Sequence, residues 1–447
     1  MKEEVEKFIE EKRFNDLRKY LESMNSADFP SLFEEIEEEK IIVIYRILSK
    51  EKAAEVFAEL DSDVQEKLIN CFTEKELRDV INELFMDDTV DLIEEMPSNV
   101  VKRILKNIKS EDRKVINELL NYPEDSAGTI MTTEFVDLKE HMTVEQAFDK
   151  IRKIGLQKET VYNCYVLSAD RKLKGIIDLK DLLIAEKDEK LKNIMNANVI
   201  TTNTLEDKEN IAKMFDKYNF FALPVVDKEK RLVGIITIDD AIDVLQEEID
   251  EDFEKMAAIT PSEDTYFKTS VFTHARNRIV WLIILMLSSI VTGAIITKYE
   301  NAFAAVPILV AFIPMIMGTT GNCGSQTSTL IIRGMSNDEI ELKDYLKAVW
   351  KEFRVAILVA LMLGIANGLR IWIQYKDLNL AIVIALSLLG TVILAKFLGC
   401  SLPMLAKKLK IDPALMATPV ITTISDMCSV LIFFKIATLV MGLDINI

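Results

Sequence analysis

A single carboxylate stands out by its surroundings. Asp426 lies in the run Pro413–Leu443, whose only other charge is Lys435. A carboxylate inside a hydrocarbon layer is costly and as a rule faces a cavity or an ion pathway; a structural hydrogen bond is the plainer reading. Thr418, Thr422, Asp426 and Ser429 follow at spacings of 4, 4 and 3, which places them on one helical stripe. Gly318, Asn322, Ser325 and Thr329 repeat the pattern, with Gln326 beside them. Such stripes suit a hydrated cation, yet small and polar residues at this spacing also pack helices together in bilayers, and both readings stay open for the second stripe.

Two further carboxylate groups are candidates for divalent-ion binding. Asp87, Asp88, Asp91, Glu94 and Glu95 crowd two turns of a helix, and Asp240, Asp243, Glu247, Glu248, Glu251 and Asp252 recur along successive turns of another. Like charges at i,i+4 destabilise a helix unless something neutralises them, and a hard cation with oxygen ligands does so. A solvated charged face is the alternative.

The elements that position these groups follow from charge and hydropathy. In the 447-residue chain, Met1–Ser270 holds 62 acids and 39 bases, net −23, whereas Val271–Ile447 holds 10 acids and 15 bases, net +5. An acidic polar half precedes an apolar half, which excludes a soluble enzyme, a secreted disulfide scaffold and a nucleic-acid binder with a basic face. The five cysteines form no C-x-x-C pair, so they read as reduced, mostly buried thiols. Met1–Lys19 is crowded with charge, and the first insertion signal is internal.

The apolar half reads as five membrane spans, at about 277–298, 302–332, 353–375, 378–406 and 413–443. The second carries Pro307, Pro314, Gly318, Gly321 and Gly324 and is expected to be kinked or broken, while Lys396 and Lys435 read as snorkelling side chains. Bases gather before span one (Arg276, Arg278), between spans two and three (Arg333, Lys343, Lys347, Lys351, Arg354) and between spans four and five (Lys407, Lys408, Lys410). These alternate connections share one side of the membrane, so the acidic half is expected in the cytosol and the C-terminus, with Asp444, outside.

Residues 126–190 and 191–242 form an internal repeat. RKLKGIIDLKDLL from Arg171 returns as KRLVGIITIDDAI from Lys230, and Ile130-Met131 returns as Ile194-Met195; the offset falls from 64 to 59, so about five extra residues lie near Gly155–Asn163 in the first copy. Each copy reads strand, helix (Val144–Ile154; Glu209–Tyr218), strand (Cys164–Leu167; Ala222–Val226), strand, helix. The pair resembles tandem CBS domains, in which T-x-x-D (Thr237, Asp240) meets a nucleotide ribose; the first copy has Asp178 in place of Thr237. Before it, residues 1–125 have 3.6-type apolar periodicity, with Leu77, Val80, Ile81 and Leu84 on one buried face and Val90, Ile93 and Met96 on another, an all-α superhelical stack. After it, residues 243–270 read as one acidic connecting helix.

The whole order, a multidomain membrane protein with an all-α superhelical N domain, an α/β tandem CBS pair, a long connecting helix and an all-α five-helix transmembrane domain, resembles the MgtE family of magnesium channels. PMIMGTTGNCGSQTSTLIIRG from Pro314 and DPALMATPVITTISDMCSVLIFF from Asp412 are similar to the family's second and fifth helices. The resemblance implies a homodimer in the cell membrane with its pore on the twofold axis, Mg²⁺ as cargo, and cytosolic Mg²⁺ sites that close the pore through the connecting, or plug, helix. It implies Asp426 as the pore aspartate, with Gly321, Asn322, Ser325, Thr418 and Thr422 lining it. It implies Asp412 with Glu251 and Asp252 as a cluster between plug and membrane, and Asp240 and Asp243 facing acids of the helical domain, for which Asp88 and Asp91 are chosen. Glu209 matches a sensing acid, but Asn219 stands where an aspartate is expected. Adenine nucleotide at Thr237 and Asp240 is the rival regulator, and a CBS-gated transporter of another divalent cation such as Co²⁺ the rival function. An intramembrane aspartyl protease needs two aspartates, and a metalloprotease needs histidines, whereas His141 and His274 lie outside the spans.

Overall fold

The computed structural model describes residues 1–262, 266–299 and 306–442, in two compact units, Met1–Gln246 and Glu247 onward. The expected starts and ends of spans two and five at 302–305 and 443, and the placement of Asp444, lie outside the described residues.

The first unit begins with short α-helices of 7 to 10 residues, from Lys2–Glu10 to Ser110–Leu119. Their boundaries have a period of twelve. Ile36, Leu48, Leu60, Phe72, Leu84, Met96 and Ile108 stand twelve apart, and all but the half-buried Leu84 are buried. Five of them (Ile36, Leu48, Phe72, Met96, Ile108) are C-cap residues in extended backbone, so each drops a large apolar side chain into the core as its helix stops. The next helix then starts, twice with a side-chain cap, Ser49 onto the Lys52 amide and Thr73 in a reciprocal capping box with Glu76.

Each repeat of the pair carries a three-stranded sheet. β1 (Val136–Lys139) pairs parallel with β2 (Asn163–Leu167), which pairs antiparallel with β3 (Leu173–Asp178); β4 (Thr202–Asn203), β5 (Ala222–Val226) and β6 (Leu232–Thr237) repeat this order. The leading segment of each copy crosses to the other: Thr132 bridges to Ile235 and Asn196 to Ile176. The glycine that recurs in β3 and β6, Gly175 and Gly234, serves this crossing. A Cβ on Gly234 would meet Met131 Sδ at 2.7 Å and Thr132 O at 2.8 Å, and one on Gly175 would meet Asn196 O at 2.9 Å. The five extra residues of the first copy form a 3₁₀ turn, Gly155–Gln157, and the loop after it. The acidic helix runs Ile238–Met256, starting earlier and stopping sooner than 243–270; Ala258 has φ +56° and Pro261 follows, neither of which continues a helix.

Among the described residues, the second unit contains five helices long and apolar enough to cross a membrane: Val271–Lys298, Pro307–Ser336, Leu342–Tyr375, Leu378–Lys408 and Pro413–Met441. The expected break in the second lies at its start. Pro307 opens a 3₁₀ segment to Phe312, Pro314 sits in the first turn of the α-helix Ile313–Ser336, and the glycines within that helix do not interrupt it. Those glycines bring helices close: a Cβ on Gly399 would stand within van der Waals overlap of Gly324 O, and one on Gly324 would lie 2.6 Å from Ile421 Cγ2.

The third helix extends N-terminally past the expected 353, as α-helix from Tyr345, and so takes in Lys347, Lys351 and Glu352. Asp426 is therefore not the sole carboxylate among the apolar helices. Nor does Lys396 snorkel: it is 5% exposed, with its ammonium 3.3 Å from Glu352. Snorkelling needs a path to water, and helices two, three and four enclose this side chain.

Candidate functional site

In the first unit, acids from three segments gather. Asp87 and Asp88 open the helix Met86–Glu95, where unpaired amides favour negative charge. Glu134 accepts the Met86 amide at 2.9 Å, and its own carbonyl accepts the Glu159 amide at 2.9 Å. Asp240 accepts both the Thr237 hydroxyl, at 2.6 Å, and the Thr237 amide, at 3.3 Å. The T-x-x-D pair thus fixes the carboxylate at the start of the acidic helix, which is half of a capping box.

These acids raise one another's pKa. Burial and then Asp88 push Asp87 to about 7. Burial and then Asp240 push Asp88 to about 6, and burial and then Asp87 push Asp240 to about 7. Asp91 is exposed by surface area although protein crowds its remaining sides; burial, followed by Asp87, Asp88 and Asp240, raises it to about 8. Glu159 rises furthest, to about 9, through burial and then Asp87, Asp240 and Asp88, and its Oε2 is buried with no hydrogen-bond partner. Asp88, Asp91 and Glu95 also line a cavity of about 170 Å³ beside Phe57, Gln65 and Leu92.

Sequence reasoning chose Asp88, Asp91 and Asp240 and missed Glu159 and Glu134. The signal for Glu159 was its place in the five extra residues of the first repeat. Asp243 is exposed one turn beyond Asp240 on the same helix. Glu209 is engaged by Lys213 at 2.6 Å, and Asn219 takes φ +54° as the C-cap of Lys208–Tyr218, a conformation asparagine tolerates.

Among the described residues, no three His, Cys, Asp or Glu side chains close on a point as ligands of a bare ion. The donors are all oxygen, and Mg²⁺ keeps several waters when bound by proteins. Carboxyl oxygens gathered from several segments suit such a hydrated ion better than a bare one.

In the second unit, Asp426 is half-buried on the helix Thr418–Met441, and among the described residues its carboxylate has no hydrogen-bond or ion-pair partner. Thr422 is half-buried, Thr418 exposed, and Ser429 fully buried, donating to the Asp426 carbonyl at 2.9 Å, so Ser429 belongs to the packing side of the stripe. Facing this helix, a Cβ on Gly321 would lie 3.1 Å from Thr422 Cγ2. Asn322 is exposed, and the Ser325 and Ser425 hydroxyls are buried without a partner.

The expected cluster of Glu251, Asp252 and Asp412 is already supplied with a cation. Lys255 Nζ lies 2.5 Å from Glu251 and 2.8 Å from Asp412. Burial acts to lower the Lys255 pKa, but hydrogen bonds to Asp412 and Glu251 outweigh it and hold the pKa above the ordinary lysine value. Asp252 is half-buried beside Glu251, and Asp412 also caps the Ala414 amide at 2.8 Å.

Comparison with known proteins matches the chain along its length. The MgtE intracellular N domain matches residues 6–125, the CBS domain residues 127–188 and 191–247, and the divalent cation transporter family MgtE residues 313–436. The magnesium transporter MgtE of Bacillus subtilis is 33% identical over 426 residues, 95% of this chain and 94% of the relative. That of Thermus thermophilus is 33% identical over 95% of both chains. The crystal structure of the cytosolic domain of the Mg²⁺ channel MgtE in complex with ATP superposes with a TM-score of 0.52 at 33% identity, covering 55% of this chain and 100% of that one.

Proposed function

Since the chain belongs to the MgtE family of magnesium transporters, a transporter family rather than an enzyme family, we propose that it is a passive Mg²⁺ channel whose acidic cytosolic part closes it when internal Mg²⁺ is plentiful. The observation that carries this reading is the Asp426 carboxylate, half-buried on an apolar helix without a partner among the described residues. A group so placed is costly unless an ion or water answers it. Ser425, next to Asp426 in sequence, and Asn322 and Ser325 on the packed helix Ile313–Ser336 supply further oxygens on the same two helices. In a homodimer with the pore on its twofold axis, two Asp426 side chains hold one hydrated divalent ion. The membrane potential suffices as the driving force, since a doubly charged ion gains roughly 4.6 kcal/mol across 100 mV.

Closure is assigned to the acids of the first unit and the connecting helix. Divalent binding replaces mutual repulsion among Asp87, Asp88, Asp91, Glu159 and Asp240 by attraction to a shared ion, and a ligand shifts a conformational equilibrium by its differential affinity for the two states. With the cytosolic half inside, the C-terminus lies outside, as the distribution of basic loops implies.

Reconstituted protein should take up Mg²⁺ in preference to Ca²⁺ and Na⁺ and lose that uptake as internal Mg²⁺ rises. Potential-independent uptake, or uptake indifferent to internal Mg²⁺, would overturn the reading. The ATP complex of the related cytosolic domain favours a second regulator, adenine nucleotide at Thr237 and Asp240 of the CBS pair. Nucleotide there would meet a Thr237 hydroxyl already given to Asp240.

A further inference from the structure

The buried charges of the apolar helices lie apart from Asp426. Thr327 donates its hydroxyl to Glu352 Oε2 at 2.9 Å, and the Lys396 ammonium donates to Thr327 Oγ1 at 3.1 Å and to the same Glu352 oxygen at 3.3 Å. Three helices, Ile313–Ser336, Tyr345–Tyr375 and Leu378–Lys408, thus contribute one side chain each to a closed polar triangle. Thr327 is 0% and Lys396 5% exposed, and the Glu352 side chain retains 12% of its exposure.

A buried ion pair gains little stability over apolar residues of the same volume, whereas removing one partner is severely destabilising. Simple cohesion of the bundle therefore does not account for it. Its surroundings indicate a more specific task. One turn before Thr327, Gly324 meets Gly399, which lies one turn after Lys396. Two glycines at a crossing provide close approach but no interlocking side chains, so apolar packing alone leaves rotation and sliding of the two helices weakly specified. The polar triangle supplies that specification one turn away. On its other side, a Cβ on the same Gly324 would lie 2.6 Å from Ile421 Cγ2 and 3.2 Å from Ser425 Oγ, the latter residue adjacent to Asp426, and the helix carries Asn322 and Ser325.

We propose that Glu352 and Lys396, joined through Thr327, are positioning residues that fix the rotation and depth of the helix Ile313–Ser336 against the Asp426 helix, and thereby the ion preference of the pathway. The inference rests on the pore reading above. It assigns no ion contact to the triangle itself.

The test uses the full chain in proteoliposomes, with Mg²⁺ and Ca²⁺ uptake and thermal unfolding measured for each variant. The double variant Glu352→Gln/Lys396→Met leaves no unpaired charge. It should unfold within a few degrees of the parent, yet lose Mg²⁺ uptake at least tenfold and shift its Mg²⁺-to-Ca²⁺ preference. Thr327→Ser keeps the bridging hydroxyl and should stay within about twofold of the parent, while Thr327→Val should lose uptake about fivefold. A folded double variant with parental uptake and preference would reduce the triangle to a structural element and overturn the inference. Should the double variant fail to fold, equal behaviour of Thr327→Ser and Thr327→Val overturns it instead. Parental transport by Asp426→Ala in the same assay would count against the pore reading, whereas parental transport by the neutralised pair counts against the positioning role alone.

Discussion

Lys255 reaches Asp412 across 2.8 Å while holding Glu251, four residues back on its own helix, at 2.5 Å. A tethered ammonium thus stands where a divalent ion would bridge the connecting helix to the segment before the last apolar helix. The pair is partly solvated, so its worth is on the order of 1 kcal/mol, about fivefold in an equilibrium. If this contact belongs to the closed pore, Lys255 supplies part of the closure without Mg²⁺. Lys255→Met should raise channel activity at low internal Mg²⁺ and shift half-closure roughly fivefold towards higher Mg²⁺, with a steeper dependence. Neutralising Glu251, Asp252 and Asp412 together should keep the channel open at high internal Mg²⁺. Patch recordings decide both, and a Lys255→Met closure curve identical to the parent's would remove the lysine from gating.

Asp426→Asn keeps the shape of the side chain and removes its charge. On the pore reading, Mg²⁺ uptake should fall at least tenfold and discrimination against Na⁺ should collapse. Because the carboxylate has no partner among the described residues, removing its charge leaves nothing else unpaired, and thermal stability should hold or rise. Unchanged divalent preference in a stable Asp426→Asn protein would refute the assignment.

What sequence alone made legible was whatever rests on periodicity and local chemistry. The helix Val144–Ile154 and the strand Ala222–Val226 fall where the repeat placed them, because a capping box and a short continuous apolar run are local signals. The twelve-residue rhythm of Ile36, Leu48, Leu60 and Phe72 was equally present in the sequence and is visible once these residues are known to lie at or just past helix ends. Partnerships between distant segments were not legible. Lys396 looked like a snorkelling side chain because Glu352, 44 residues away, sits in a turn that charge alone excluded from the third span. Nothing in the sequence marked Lys255, because its selection of Asp412 depends on how the chain returns. Glu159 had only an unequal repeat length to mark it.

The pH dependence of the first unit follows from its raised carboxyl groups. Asp87, Asp88, Asp91, Asp240 and Glu159 titrate at about 7, 6, 8, 7 and 9, above the ordinary carboxylate range. The folded state therefore binds more protons than the unfolded one between about pH 4 and pH 9, so stability without divalent ions is full at the acid end and falls as pH rises through that window. On the proposed closure reading, Mg²⁺ would bind the deprotonated groups and should restore it. Limited proteolysis of the full chain in millimolar Mg²⁺ should show weak protection at pH 5.5 and strong protection at pH 8, beyond that of Na⁺ at equal ionic strength. Equal protection by both salts at pH 8 would reduce the cluster to screened charge.

Glu159 offers the sharpest single-residue test of that cluster. Its Oε2 is buried without a partner, and its charge is opposed by Asp87, Asp240 and Asp88. At neutral pH without Mg²⁺, keeping this group protonated or forcing it to ionise among like charges both cost stability, and glutamine avoids either cost at nearly the same volume. Glu159→Gln should therefore raise the unfolding temperature of the Mg²⁺-free protein by roughly 2–4 °C per kcal/mol of relieved repulsion in a unit of this size. The same change removes one charge that a bound cation would satisfy, so the additional stabilisation by Mg²⁺ should shrink and half-closure should move to higher internal Mg²⁺. The two effects have opposite signs, which separates them from a general change in folding. A variant that is more stable without Mg²⁺ but keeps the parental Mg²⁺ response would leave Glu159 as an isolated buried acid outside the ion-sensing group.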